Sequence, residues 1–340
     1  MAVISADSLV SFRRWARFGA LLAAVVVIVG AWVRLTNAGL GCPDWPGCYG
    51  HVHPAQVVEQ VDSANAAYAA RPFDYQKALH EMVHRYIATT LGVVVLGLAV
   101  VAWRHRRNPR QPLRLPLILP FIIAGQGALG AFTVTLLLTP VIVTSHLLGG
   151  LTTLSILWWL SLTPELRSAT AAERSVRPLA LLALAALMVQ LFLGGWTSTN
   201  YAAVSCPDFP TCQGGYHPVT DYANAFHFTH EAGRDYEGGV LPQAARTAIH
   251  FAHRIGAVVA GTLLFLTGLL VAIRARSYRV RSAGMALMGA VLLQWLIGMN
   301  LIWQGFPLWL GTSHNAGAVI LLLTTLTVLR RLWPVRDAGP

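Results

Sequence analysis

The chain has 340 residues, 55% of them hydrophobic and only 11% charged, with a formal net charge of +11. A soluble globular domain carries about 25% charged residues, so this composition excludes one. In a membrane chain an excess of arginine reads as basic cytoplasmic loops, not as a nucleic-acid surface.

The apolar runs, taken in order, approach the length of about 20 residues that crosses a bilayer. They predict eight spans at 17–36, 83–103, 115–135, 141–162, 178–198, 250–273, 282–302 and 310–330. The first run follows Arg13, Arg14 and Arg17 and lacks a small-residue cleavage site. It is therefore expected to remain as a helix and not to be removed as a signal peptide. The positive-inside rule orients the rest. Arg104, Arg106, Arg107, Arg110 and Arg114 follow the second span, Arg167, Arg174 and Arg177 the fourth, Arg274, Arg276, Arg279 and Arg281 the sixth, and Arg330, Arg331 and Arg336 the last. Both termini are expected in the cytoplasm of a bacterial inner-membrane protein.

CPDWPGC (42–48) and CPDFPTC (206–212) are then exterior loops, and they hold all four cysteines. An oxidising exterior favours the pairs Cys42–Cys48 and Cys206–Cys212, each stabilising its loop by roughly 2–3 kcal/mol on a chain-entropy model. A thiol pair that receives or hands on a ligand stays open, above all for Cys42 and Cys48. Metal binding is the weaker alternative, because there is no C-x2-C.

The loops belong to a longer repeat. GHVHP (50–54) answers GYHP (215–218), ALHEMVHRYIATTLG (78–92) answers AIHFAHRIGAVVAG (248–261), GQGALGAFTV (125–134) resembles LQWLIGMNLI (293–302), and VTSHLLGGLTTL (143–154) answers GTSHNAGAVILL (311–322). Each copy has four spans, so both enter the membrane in the same sense. The expected fold is all-α: two tandem four-helix bundles, 1–166 and 167–340, related by a pseudo-two-fold axis along the membrane normal.

Four histidines sit at repeated positions near the exterior ends of spans: His84 with His253, and His146 with His314. Two histidines at matched depth in one bundle can grip a metal between them, and haem iron suits imidazole and a bundle core. Gly149, Gly150 and Gly317 leave room beside them for a flat ring. The bland alternative is a histidine hydrogen-bonded to a neighbouring helix, but intramembrane ionisable groups are costly and usually functional. Arg85 and Arg254 follow the first histidine of each pair and suit carboxylates such as haem propionates, or snorkel to the interface.

The copies differ where Glu81, three residues before His84, aligns with His250, three before His253. Spacing i, i+3 puts each pair on one helix face. A carboxylate at a reacting centre can accept a proton or stabilise positive charge. Alternatively Glu81 forms an i, i+4 ion pair with Arg85. His51, His53, His217, His227 and His230 fall in exterior loops and His105 in a basic cytoplasmic one, with no role assigned. HFTHE (227–231) is too short a run to mark a metal site.

Together, VRLTNAGLGCPDWPGC (33–48), EMVHR (81–85), TSHLLGG (144–150), HFAHR (250–254) and TSHNAGA (312–318) resemble the haem A synthase family over about residues 15–332. The resemblance implies an enzyme that oxidises a methyl group of haem O to a formyl group by successive hydroxylations. It implies haem O on His84 and His146, with Glu81 as the carboxylate important for turnover, and haem B on His253 and His314. Arg85, Arg254 and His250 would line these sites. Haem O synthase would supply the substrate, a haem-copper oxidase or its assembly factors would receive haem A, and electrons would come from a donor the chain does not identify. A homo-oligomer is left open. Two other classes use the same ligands: a dihaem b-type cytochrome, disfavoured because both haems would lie at one depth, and a haem transporter, for which no GxxxxGK[ST] motif supplies power.

Overall fold

The computed structural model describes residues 6–334 apart from 164–166, 168, 230 and 232. His230, Arg336 and the expected boundary at 166 lie outside the described residues. Among those residues the chain is helical: α1 (Ala6–Leu35), α2 (Val61–Ala67), α3 (Tyr75–Arg104), α4 (Arg114–Thr135), α5 (Pro140–Ser161), α6 (Ala171–Thr199), α7 (Tyr222–Ala225), α8 (Gln243–Arg274), α9 (Tyr278–Trp303) and α10 (Leu308–Leu332), with three short 3-10 turns and two isolated β-bridges. Eight of them, all but α2 and α7, are long and apolar enough to cross a membrane. Large apolar side chains point outward, among them Phe121 at 78% exposure and Val93 and Ile273 at 65%. That surface suits lipid and not water.

The helices overrun the expected spans where polar residues supply a start. Asp74 accepts hydrogen bonds from the Gln76 and Lys77 amides and so begins α3 about two turns before residue 83. Thr170 and Glu173 form a reciprocal capping box at the start of α6. Hydropathy marks the hydrocarbon-length part of a helix, whereas the cap marks the helix itself. His84 is therefore well inside α3 and does not open it.

α1 packs on α3 and α5, and α4 on the same two; α8 packs on α6 and α9, and α10 on α9 and α6. One apolar core joins them, with Phe12, Leu91, Leu154, Leu187, Leu264, Leu287 and Leu322 nearly or fully buried. α1 also meets α10, and α5 meets α6 and α10. At these seams polar groups find specific partners. Trp158 Nε1 donates to Leu323 O (3.1 Å) and Thr327 Oγ1 (3.0 Å). Arg177 donates to Leu332 O at the end of α10 (2.7 Å).

At the opposite ends of the helices, Arg34 of α1 reaches the end of α6. Its Nη2 donates to Ser198 O (2.6 Å), and its guanidinium lies 3.9 Å from the centre of the Tyr201 ring. The Tyr201 hydroxyl donates to Asn37 Oδ1 (3.0 Å). A helix ends in carbonyls that lack intrahelical donors and carry partial negative charge, and Arg34 satisfies one from another helix. Arg34→Ala should lower stability in detergent by about 2 kcal/mol, the scale of a hydrogen bond to a charged group, with Arg34→Lys intermediate because it loses the planar stacking on Tyr201. Thermal unfolding of the purified variants measures this.

Candidate functional site

Each cysteine loop is a disulfide-closed turn: Cys42–Cys48 and Cys206–Cys212 are both bonded. The aspartate of each motif organises the turn from inside. Asp44 accepts hydrogen bonds from the Tyr49 (2.6 Å) and Gly50 (2.8 Å) amides. Asp208 accepts from Gln213 (2.6 Å) and Gly214 (3.0 Å), and from the Thr211 hydroxyl. Tyr49 and Gln213 adopt positive φ of 53° and 57°, as Gly50 and Gly214 do at 78°, so the aspartate clamps a turn that ordinary residues resist. Burial pushes the Tyr49 phenol up to about 12, and its hydroxyl donates to Arg71 O (2.9 Å).

The loops are fastened to the helices by the arginines that follow the first histidines. Arg85 Nη1 donates to the carbonyls of Asp44 (3.1 Å), Pro46 (3.2 Å) and Gly47 (2.5 Å). Arg254 donates to Thr211 O and Cys206 O, both at 2.8 Å. Each guanidinium thus gives donors to loop carbonyls. Gly41 rests directly on the backbone of α3, where a Cβ would stand 2.5 Å from the Lys77 carbonyl carbon.

Glu81 is 5% exposed and joins this clamp. Its Oε1 pairs with Arg85 Nη2 (2.5 Å), and its Oε2 accepts from the Cys42 amide (2.9 Å). The i, i+4 ion pair expected as one reading of Glu81 is present. His250, at the aligned position and also 5% exposed, faces Arg254 Nε at 3.3 Å and meets the edge of the Phe306 ring.

The four repeated histidines fall in two pairs. The His253 and His314 rings, from α8 and α10, stand 6.3 Å apart between centres and nearly perpendicular. With metal–imidazole bonds of about 2 Å on each side and roughly 1 Å more to each ring centre, two imidazoles on opposite sides of one metal would have centres roughly 6 Å apart. This pair fits a metal held between them. His84 of α3 and His146 of α5 are electrostatic neighbours, and the buried Nδ1 of each has no hydrogen-bond partner.

Every one of these rings lies against a glycine on an adjacent helix. A Cβ added at Gly30 would stand 2.9 Å from His84 Cε1; at Gly130, 3.6 Å from His146 Cε1; at Gly194, 3.2 Å from His253 Cε1; and at Gly298, 3.2 Å from His314 Cε1. At Gly30, Gly194 and Gly298 even a methyl group would crowd the ring. The sequence pointed instead to Gly149, Gly150 and Gly317; a Cβ at Gly150 would make an ordinary contact of 3.7 Å with Val27, and the other two face side chains on a neighbouring helix. Those make room for glutamines: a Cβ at Gly149 would overlap Gln126 (1.8 Å) and one at Gly317 would overlap Gln294 (2.1 Å). The cradle glycines, the loop aspartates and the glutamines had not been assigned roles. Their signal was the repeat itself, because Gly30 aligns with Gly194, Gly130 with Gly298 and Gln126 with Gln294.

The Thr211 hydroxyl, then the loop amides, hold the Asp208 carboxyl below the usual aspartate range. A depressed native pKa contributes stability that is present above the unfolded value and is lost as pH falls through the native one. The 206–215 loop should therefore loosen as pH drops below the ordinary aspartate range, and Asp208→Asn should remove most of that pH dependence. Hydrogen exchange at the Gln213 and Gly214 amides reads both.

A family model described as "Cytochrome oxidase assembly protein", COX15-CtaA, matches residues 13–326. Haem A synthase of Shewanella oneidensis is 40% identical over 312 residues, 91% of this chain and 93% of that protein. Haem A synthases of Novosphingobium aromaticivorans (94% of each chain) and Halalkalibacterium halodurans (91% and 93%) are each 27% identical.

Proposed function

The chain belongs to the COX15-CtaA family of cytochrome oxidase assembly proteins, the haem A synthases, and from that membership we propose which of its residues carry the conversion of haem O to haem A. His84 and His146 hold the haem O that is oxidised, and His253 and His314 hold haem B. The observation that carries this reading is the pairing of half-buried histidines over glycine cradles, with the 6.3 Å ring spacing of His253 and His314. When bound, the haem iron supplies the oxygen and electron chemistry by which a methyl group is hydroxylated in successive steps to a formyl group.

The protein's own groups do the rest. The glycines leave the rings free to turn toward a flat ligand. The Cys42–Cys48 loop, fixed to α3 by Arg85 and Glu81, closes the first site from outside and keeps bulk water from it. Glu81 lies on the histidine's face of α3 and offers a carboxylate at that site, able to take a proton or stabilise positive charge. At the second site His250 replaces it, consistent with a haem that is not itself transformed. Arg85 and Arg254 would reach propionates only by exchanging loop carbonyls for them.

Two four-helix bundles about a pseudo-two-fold axis are supported by contacts between aligned residues. Arg34 meets Ser198 and Asn37 meets Tyr201, each pair separated by the 164 positions of the repeat in this stretch. In a two-fold arrangement the residues nearest the axis meet their own counterparts. The disulfides favour an exterior position for both loops, and the arginine distribution favours cytoplasmic termini. Haem O synthase is then the upstream supplier, and a haem-copper oxidase or its assembly factors the destination.

The test is chemical. Expressed with haem O synthase in an aerobic host that lacks haem A, the chain should yield a formyl haem or its hydroxymethyl intermediate, identified by chromatography and mass. Only haem B and unchanged haem O, from folded and reducible protein, would sink the assignment. Glu81→Gln should lower turnover by roughly 10²- to 10⁴-fold, the scale of a lost general acid–base, while haem O remains bound. Loss of bound haem would instead make Glu81 a structural tether.

A further inference from the structure

The two histidine pairs are alike in ligand type and in cradle but differ in what lies behind the rings. At the second pair a glutamine meets each ring: Gln190 at Nδ1 of His253, and Gln294 at almost equal distance from Nδ1 and Nε2 of His314. Gln190 Nε2 of α6 lies 3.0 Å from His253 Nδ1 and donates to His253 O (3.1 Å). Gln294 Nε2 of α9 lies 3.4 Å from His314 Nδ1 and donates to His314 O (3.1 Å). At the first pair neither Nδ1 has a partner, although both are buried.

The difference at His253 is a matched exchange of two residues. Gln190 fits because it faces Gly256, where a Cβ would stand 2.3 Å from its Oε1. The aligned positions in the first copy are Val26 and Ile87. A polar side chain with a glycine to receive it has become two apolar side chains, and His84 loses the group that would hold its ring.

We propose that Gln190, in the space left by Gly256, is a positioning residue that makes the second haem site retentive, and that Val26 and Ile87 make the first site exchangeable. This rests on the assignment of resident haem B to His253 and His314 and of substrate haem to His84 and His146. The physical reason is general: a partner on the far nitrogen of a ligating imidazole fixes the ring's orientation and raises its basicity. In the arrangement seen, Nδ1 of His253 accepts and its Nε2 carries the ring proton. With a metal on Nε2 the proton resides on Nδ1. A half-turn of the Gln190 amide then offers Oε1, which is buried and unpartnered, as acceptor, in exchange for the bond from Nε2 to the His253 carbonyl. A site that must take in haem O and let haem A go gains from lacking such a hold.

The experiment follows haem release. Purified protein carrying both haems is mixed with excess apomyoglobin, and transfer is followed by absorbance, with the released haem identified by chromatography. The wild type should release haem O or haem A in a fast phase and haem B in a slow one. Gln190→Leu should speed the slow phase by roughly 10- to 100-fold, the usual cost of an outer-sphere partner, leaving the fast phase unchanged. It should also alter the low-spin electron-paramagnetic-resonance signal of haem B. Gln190→Glu, which still accepts from Nδ1, should restore slow release. The double variant Val26→Gln, Ile87→Gly should slow the fast phase, and it tests the idea independently if Gln190→Leu folds poorly. His253→Ala separates the two levels of the argument. If that variant keeps its slow haem B, the site assignment fails and this inference with it. If it loses haem B while Gln190→Leu and the double variant both release haem at wild-type rates, the assignment stands and the inference is overturned.

Discussion

Two imidazoles 6.3 Å apart inside a helix bundle impose a demand on everything around them. Polar rings at that depth are expensive unless they bind something, and they can face each other only if the helices behind them yield space. Glycine is the one residue that yields it without a side chain of its own. Gly30, Gly194 and Gly298 do this from α1, α6 and α9, while Gly130 of α4 lies beside His146 at an ordinary contact distance, so all eight long helices bear on a histidine pair, four with the rings and four with the glycines beside them.

The cysteine loops follow from the same demand. A site near the membrane surface must be closed above, and each loop is closed by a disulfide, an internal aspartate and an arginine from the helix below. The Glu81–Arg85 pair ties this cover to the first ligand helix through the Cys42 amide. Any change in that carboxylate is felt by the loop, and the reverse. The second loop is held by Arg254 without a carboxylate, since His250 stands there instead. The two loops are thus built alike, and the carboxylate of Glu81 is what the first has and the second lacks.

The candidate ligands were legible in the sequence as candidates, and the reason is repetition. A single intramembrane histidine has a bland explanation, but His84, His146, His253 and His314 at matched positions do not. Glu81 stood out as an exception to the match. What stayed hidden were residues whose meaning lies in a distance. Gly194 looks like any small residue of a membrane helix until α8 is placed against α6, and Gln190 looks like a tolerated polar residue until Gly256 faces it. Arg34, with serine at the aligned position, gave no sign of capping α6, because its partners are backbone carbonyls of no particular residue type.

The linear pattern of side chains is enough to decide the number of helices long and apolar enough to cross a membrane, the chemistry of the candidate ligands and the pairing of the cysteines. Each depends on hydropathy over a bilayer's thickness, on ligand type or on short separation along the chain. The helix starts, the cradles, the clamps on the loops and the unequal backing of the two histidine pairs depend on which backbones approach within a few ångströms. Those distances arise from packing between segments far apart in the chain, and no local pattern encodes them.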